Sequence, residues 1–75
     1  MQRVSLHRIT NIGHIRYYRV ELFATLFGEF VVEREYGNAK NKTPTGHKKM
    51  MYNTIEDAKE AFLVIVDLKQ KRGYK

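Results

Sequence analysis

Ile15-Arg16-Tyr17-Tyr18-Arg19-Val20-Glu21-Leu22-Phe23-Ala24-Thr25-Leu26-Phe27-Gly28-Glu29-Phe30-Val31-Val32-Glu33-Arg34-Glu35-Tyr36 reads as two strands joined by a turn. Aromatic and β-branched residues dominate both arms, which suits a pleated, half-buried surface. Tyr18, Val20 and Leu22 fall on one face of the first arm, and Tyr17, Arg19 and Glu21 on the other. Thr25-Leu26-Phe27-Gly28 is the hairpin connection, with Gly28 supplying a dihedral that other residues avoid. The second arm, Glu29 to Tyr36, places Phe30, Val32 and Arg34 together and Val31, Glu33 and Glu35 opposite.

Working outward, residues 3–9 alternate as a further strand with Val4 and Leu6 on one face, and Asn11-Ile12-Gly13-His14 is a turn by composition. His47 to Asn53 is a weaker fourth strand with Met50 and Tyr52 pointing the same way. Between them, Gly37 to Gly46 holds the only proline and reads as a loop. Its length is unusual for a hairpin connection, and long loops in small domains often carry function.

Thr54-Ile55-Glu56-Asp57 announces a helix, because a threonine cap is followed by an acid three residues on and then by an apolar run. Ile55, Ala58, Ala61, Phe62, Ile65 and Leu68 form one stripe at helical spacing. Lys69, Lys71 and Arg72 complement the negative end, and Gly73 stops the helix. Such a helix has about 18 residues and a length of roughly 27 Å. The expected fold is α+β: a four-stranded antiparallel sheet with one long C-terminal helix packed on one face. At 75 residues the chain is a single domain, close to the length at which one core just suffices.

Composition excludes several kinds of chemistry. With no cysteine, disulfides, thiolate catalysis and cysteine-based zinc sites are ruled out, in keeping with a reducing compartment. The apolar run Ala61 to Val66 is far too short to span a membrane, and Met1-Gln2-Arg3-Val4 lacks the apolar block of a signal peptide. A soluble, cytoplasmic protein without membrane contact is expected. Ser5 and His7 share a strand face, but no third group orients the imidazole. His7, His14 and His47 are scattered, so no metal site is expected. Glu33 and Glu35 suit pairing with Arg19 on the neighbouring strand. A small basic ribonuclease would find one corner in His47, Lys48 and Lys49 but no matching acid and base. No glycine-rich phosphate loop is present. Neither an enzyme nor a cofactor or small-molecule substrate is expected.

The charge points elsewhere. The net formal charge is +6, and it gathers at both ends of the chain and after the third strand. There Tyr36-Gly37-Asn38 is followed by Lys40, Lys42, Lys48 and Lys49 with no carboxylate among them. An aromatic ring at a strand end beside uncompensated ammonium groups suits a nucleic-acid backbone. These seven residues, Tyr36, Gly37, Asn38, Lys40, Lys42, Lys48 and Lys49, are the candidate contact residues.

From Tyr18 to the end the order of features resembles the WGR domain, a module of poly(ADP-ribose) polymerases and of short stand-alone bacterial proteins. Tyr18-Arg19-Val20-Glu21-Leu22-Phe23 resembles its second strand, and Leu26-Phe27-Gly28-Glu29-Phe30-Val31-Val32 its Leu-Phe-Gly-aromatic segment. Tyr36-Gly37-Asn38 stands where the family has its Trp-Gly-Arg. Gly46, Ala58, Phe62 and the run from Lys69 through Arg72-Gly73-Tyr74 are similar to its later glycine, its helix and its lysine-rich end. The resemblance implies nucleic-acid binding, DNA ahead of RNA, mainly through phosphates with an aromatic stack. Tyr36 keeps a flat ring in place of indole, while Asn38 lacks the charge and bidentate fork of arginine. The alternative is an adaptor that contacts another protein and has lost recognition of DNA ends.

Overall fold

Alternation in the strands sets the whole architecture. The computed structural model describes residues 2–75, as β1 (Gln2–Ile9), β2 (Ile15–Ala24), β3 (Phe30–Asn38), β4 (Gly46–Tyr52) and α1 (Ile55–Lys71). The strands form one antiparallel sheet in the order β1-β2-β3-β4. A row of facing residues therefore crosses the sheet at each register position. Leu6, Tyr18, Tyr36 and Gly46 make one row, Val4, Val20, Arg34 and Lys48 the next, and Leu22, Val32 and Met50 a third. These even-numbered residues face the helix, and the odd-numbered ones face away. The fold is α+β, with α1 lying over one face of the sheet.

The helix begins where its sequence signals place it. Thr54 Oγ1 accepts the backbone N–H of Asp57 at 3.2 Å, and Glu56 and Asp57 occupy the positive first turn. At the other end, Tyr74 N–H donates to the carbonyl of Lys69 and Gly73 N–H to that of Gln70, both at 3.1 Å. Gly73 sits at a φ of 97°, the left-handed conformation that closes a Schellman motif. This cap folds the chain back so that Tyr74 lands on the sheet. Lys75 then exchanges two backbone hydrogen bonds with His7, at 2.9 and 2.8 Å, on the outer edge of β1.

The core consists of Leu6, Tyr18, Val20, Leu22, Val32, Ala58, Phe62 and Tyr74, with Val4, Phe30, Ile55, Ala61, Ile65 and Val66 packed around it. Ala58 allows close approach of helix to sheet, and Phe62 fills the space so defined. The expected stripe departs from this at one end: Leu68 is half-exposed, and Lys69 takes the inward position one residue on. On the far side, Val31 is fully buried in a row with Phe23 and Met51.

The third strand runs two residues further than its sequence suggests. Gly37 and Asn38 pair with Tyr17 and Arg16, so only residues 39–45 form the loop before β4. The reason is local: Thr45 N–H returns to the carbonyl of Tyr36 at 2.9 Å. A Cβ on Gly37 would lie 2.8 Å from that same nitrogen, so only glycine admits the crossing without a backbone shift.

The molecule measures 43 × 26 × 15 Å. Its radius of gyration of 13.3 Å exceeds the roughly 11 Å of a rounder domain of this size. Two tight hairpins account for the difference, with Leu26 and Phe27 at one tip and Ile12 at the other standing clear of the core. Among the described residues no helix is long and apolar enough to cross a membrane.

Truncating Phe62 to Ala is expected to cost about 3–5 kcal/mol, a large share of the stability of so small a domain. Urea denaturation followed by far-UV circular dichroism should show the cooperative transition of the Phe62→Ala protein shifted close to zero denaturant. Leu63→Ala, at the exposed neighbouring position, should stay within about 0.5 kcal/mol of the parent protein.

Candidate anion-binding site

Where the helix ends, the helix-side rows of the sheet become cationic. Arg8 faces Arg16 across β1 and β2, and Arg34 faces Lys48 across β3 and β4. Lys69 reaches down from the last turn of α1. Together with Tyr18, Tyr36 and Tyr74 these five cations line an open hollow of about 350 Å³ with no carboxylate in its wall. The carboxylates of the sheet, Glu21, Glu33 and Glu35, are all at odd positions and face the opposite way.

Two of the five cations are held by tyrosine rings rather than by acids. The Arg8 guanidinium lies over the Tyr74 ring, 5.0 Å from its centroid, and also donates to the carbonyl of Arg72 at 3.1 Å. The Lys69 ammonium lies over Tyr18 at 4.5 Å. A ring quadrupole attracts a cation without cancelling its charge, so the hollow stays strongly positive. Burial lowers the pKa of Lys69, and the neighbouring charges of Arg72, Arg34, Arg8 and Lys48 lower it further. Among the described residues, none of the five is within ion-pair distance of an acid.

The opposite face is compensated. Arg19 pairs with Glu35 at 3.1 Å, His47 with Glu33 at 3.0 Å and Arg3 with Glu21 at 3.0 Å. Tyr17 donates its hydroxyl to Glu35 at 3.3 Å; burial raises its phenol pKa, and the Glu35 charge adds to this. A second hollow of about 370 Å³ on this face is lined by Ser5, His7, Tyr17, Arg19, Glu35 and Lys42, among others. No hydrogen bond joins Ser5 to His7 among the described residues, and none of these shows three metal-ligating side chains together.

The seven residues singled out from the sequence do not form one patch. Lys48 belongs to the cationic hollow, whereas Lys49, one residue on, points to the far side beside Glu33. Lys42 lines the hollow on the far face, and Lys40 is an exposed loop residue. Asn38 accepts the N–H of Lys40 at 2.9 Å through its side-chain oxygen, which commits it to the turn, and Gly37 serves the loop crossing. Tyr36 is half-buried rather than displayed. Its ring is nearly parallel to that of Tyr18, with centroids 5.4 Å apart, and its far end leans over Gly46. It still lines the hollow beside Tyr18. Arg8, Arg16, Arg34 and Lys69 were not among the sequence candidates. The signal that finds the three arginines is strand register: Arg34 shares a face with Val32, Arg16 with Tyr18 and Arg8 with Leu6.

A Cβ at position 46 would collide with Cζ, Cε2 and the hydroxyl oxygen of Tyr36. Gly46→Ala should accordingly cost about 1–3 kcal/mol through overpacking. In a Tyr36→Ala background the same change should lose most of that cost, a non-additivity that a double-mutant cycle in urea would measure.

No family model matches the chain, and no curated protein or solved structure matches it either.

Proposed function

We propose that the protein is a small, non-catalytic nucleic-acid-binding module that grips phosphates with the helix-side cluster of Arg8, Arg16, Arg34, Lys48 and Lys69. One observation carries this reading: five cations line a single hollow that has no carboxylate in its wall. Like charges gathered without acids raise the free energy of the empty site, and an arriving polyanion relieves that repulsion while releasing its own counterions. Arginine forks at Arg8, Arg16 and Arg34 suit bidentate contacts to phosphate oxygens, and Lys48 and Lys69 add point charges. Tyr36 and Tyr74 line the same hollow. The resemblance to WGR domains implies the same class of partner, and is the ground for placing DNA ahead of RNA. It would place the contacts differently, on Tyr36 and the loop lysines.

One feature favours contact with another protein instead. Leu26 and Phe27 at the β2–β3 turn are 100% and 89% exposed, an apolar tip at the opposite end of β2 from Arg16. An adaptor would use that tip and leave the cationic hollow idle.

Fluorescence anisotropy with labelled duplex and single-stranded DNA oligonucleotides separates the readings. With about four phosphates neutralised, log K should fall against log salt with a slope of roughly −3 to −4. Arg34→Gln and Lys48→Gln should each reduce the slope by about 1, whereas Lys49→Gln, on the far face, should leave it unchanged. A flat salt dependence, or equal effects of Lys48→Gln and Lys49→Gln, would remove the hollow from consideration and leave the adaptor reading standing.

A further inference from the structure

Lys69 differs from the other lysines of its helix. Lys71 is bound to Asp67 at 3.0 Å and Lys59 is exposed on the outer side, whereas Lys69 is half-buried against Tyr18 and opens into a hollow containing four further cations. We propose that Lys69 is a site of acylation by acyl phosphates, with Arg8, Arg34 and Lys48 holding the phosphate while the Lys69 amine takes the acyl group.

The reaction balances without any further reagent. The lone pair of the neutral Lys69 Nζ attacks the carbonyl carbon and a nitrogen–carbon bond forms. The bond from that carbon to the phosphate oxygen breaks, and inorganic phosphate leaves with the electron pair. The nitrogen gives its proton to water, and an uncharged amide remains. Two features favour this at position 69. The surrounding cations concentrate an anionic donor and stabilise charge as it grows on the departing phosphate oxygen. The lowered pKa of Lys69 also leaves more of its amine unprotonated near neutral pH, as occurs for lysines placed beside other cationic groups. The Tyr18 ring, its centroid 4.5 Å from Nζ, holds the end of the side chain at the hollow. The amide removes one positive charge from the hollow, so acylation would weaken polyanion binding; only this consequence rests on the function proposed above.

The chemistry is tested on the whole chain with acetyl phosphate and no nucleic acid, using peptide mass spectrometry to follow each lysine over time. Acetylation of Lys69 should run several-fold faster than that of Lys59 or Lys71. Arg34→Gln and Lys48→Gln should each slow Lys69 without changing Lys59, and Lys49→Gln should change neither. Inorganic phosphate should compete at Lys69 alone. With acetic anhydride, an uncharged donor, the preference for Lys69 should shrink. Labelling of Lys69 no faster than Lys59 overturns the proposal, and so does an undiminished preference with the uncharged donor. Failure of the oligonucleotide titrations would leave these rates untouched, so the two ideas fall separately.

Discussion

Tyr18 is the residue on which the arrangement turns. It is buried to 4% exposure in the middle of β2 and touches three different partners through three different geometries. Its ring is stacked with Tyr36, meets Tyr74 edge-on at 6.0 Å, and lies beneath the Lys69 ammonium. Aromatic pairs of this kind contribute about 0.5–1.5 kcal/mol each beyond the area they bury. One side chain thereby ties together the middle of the sheet, the last turn of the helix and the returning C-terminal residues. The Schellman cap at Gly73 is what brings Tyr74 within reach.

The division of charge between the two faces follows from the strand period of two. Glu21, Glu33 and Glu35 are at odd positions and Arg8, Arg16, Arg34 and Lys48 at even ones, so a single pleat sends acids one way and bases the other. On the far face Arg3 pairs with Glu21 and Arg19 with Glu35, exposed or half-exposed pairs each worth a fraction of a kcal/mol. On the helix side no such relief exists. Arg34, Lys48 and Lys69 line one hollow with no acid among them. Departures from local consistency of this sort are expected at functional sites, where stability is given up for an unfilled interaction.

Much of the fold was legible in the residues. The faces of β2 and β3, the turn at Gly28, the Thr54 cap and the stop at Gly73 all follow from local chemistry, because each signal is complete within a few neighbours. The candidate site was less so. Lys48 and Lys49 adjoin in sequence and invite a joint reading, yet the pleat sends them to opposite faces. Arg8 and Lys69 are far apart in the chain and meet only because the helix returns along the sheet, which no local pattern records. The exposure of Tyr36 depended on Gly46, since an absent Cβ on the neighbouring strand is what lets the ring lie down. The loop looks longer in the sequence than it is because Gly37 resembles a breaker, although its role is to admit the backbone of Thr45.

Cation–π contacts explain how such a site can persist in a chain of this size. A carboxylate beside Lys69 would pair with its ammonium, but it would also cancel the charge that gives the hollow its field. An aromatic ring supplies direction and part of the attraction, about 0.5–2 kcal/mol as exposure decreases, and leaves the net charge intact. Tyr74 and Tyr18 thus allow Arg8 and Lys69 to be positioned without being neutralised. The uncovered remainder of their electrostatic energy stays available to an incoming anion. The same tyrosines anchor the end of the helix to the sheet, so the residues that hold the charges in place are those that complete the core.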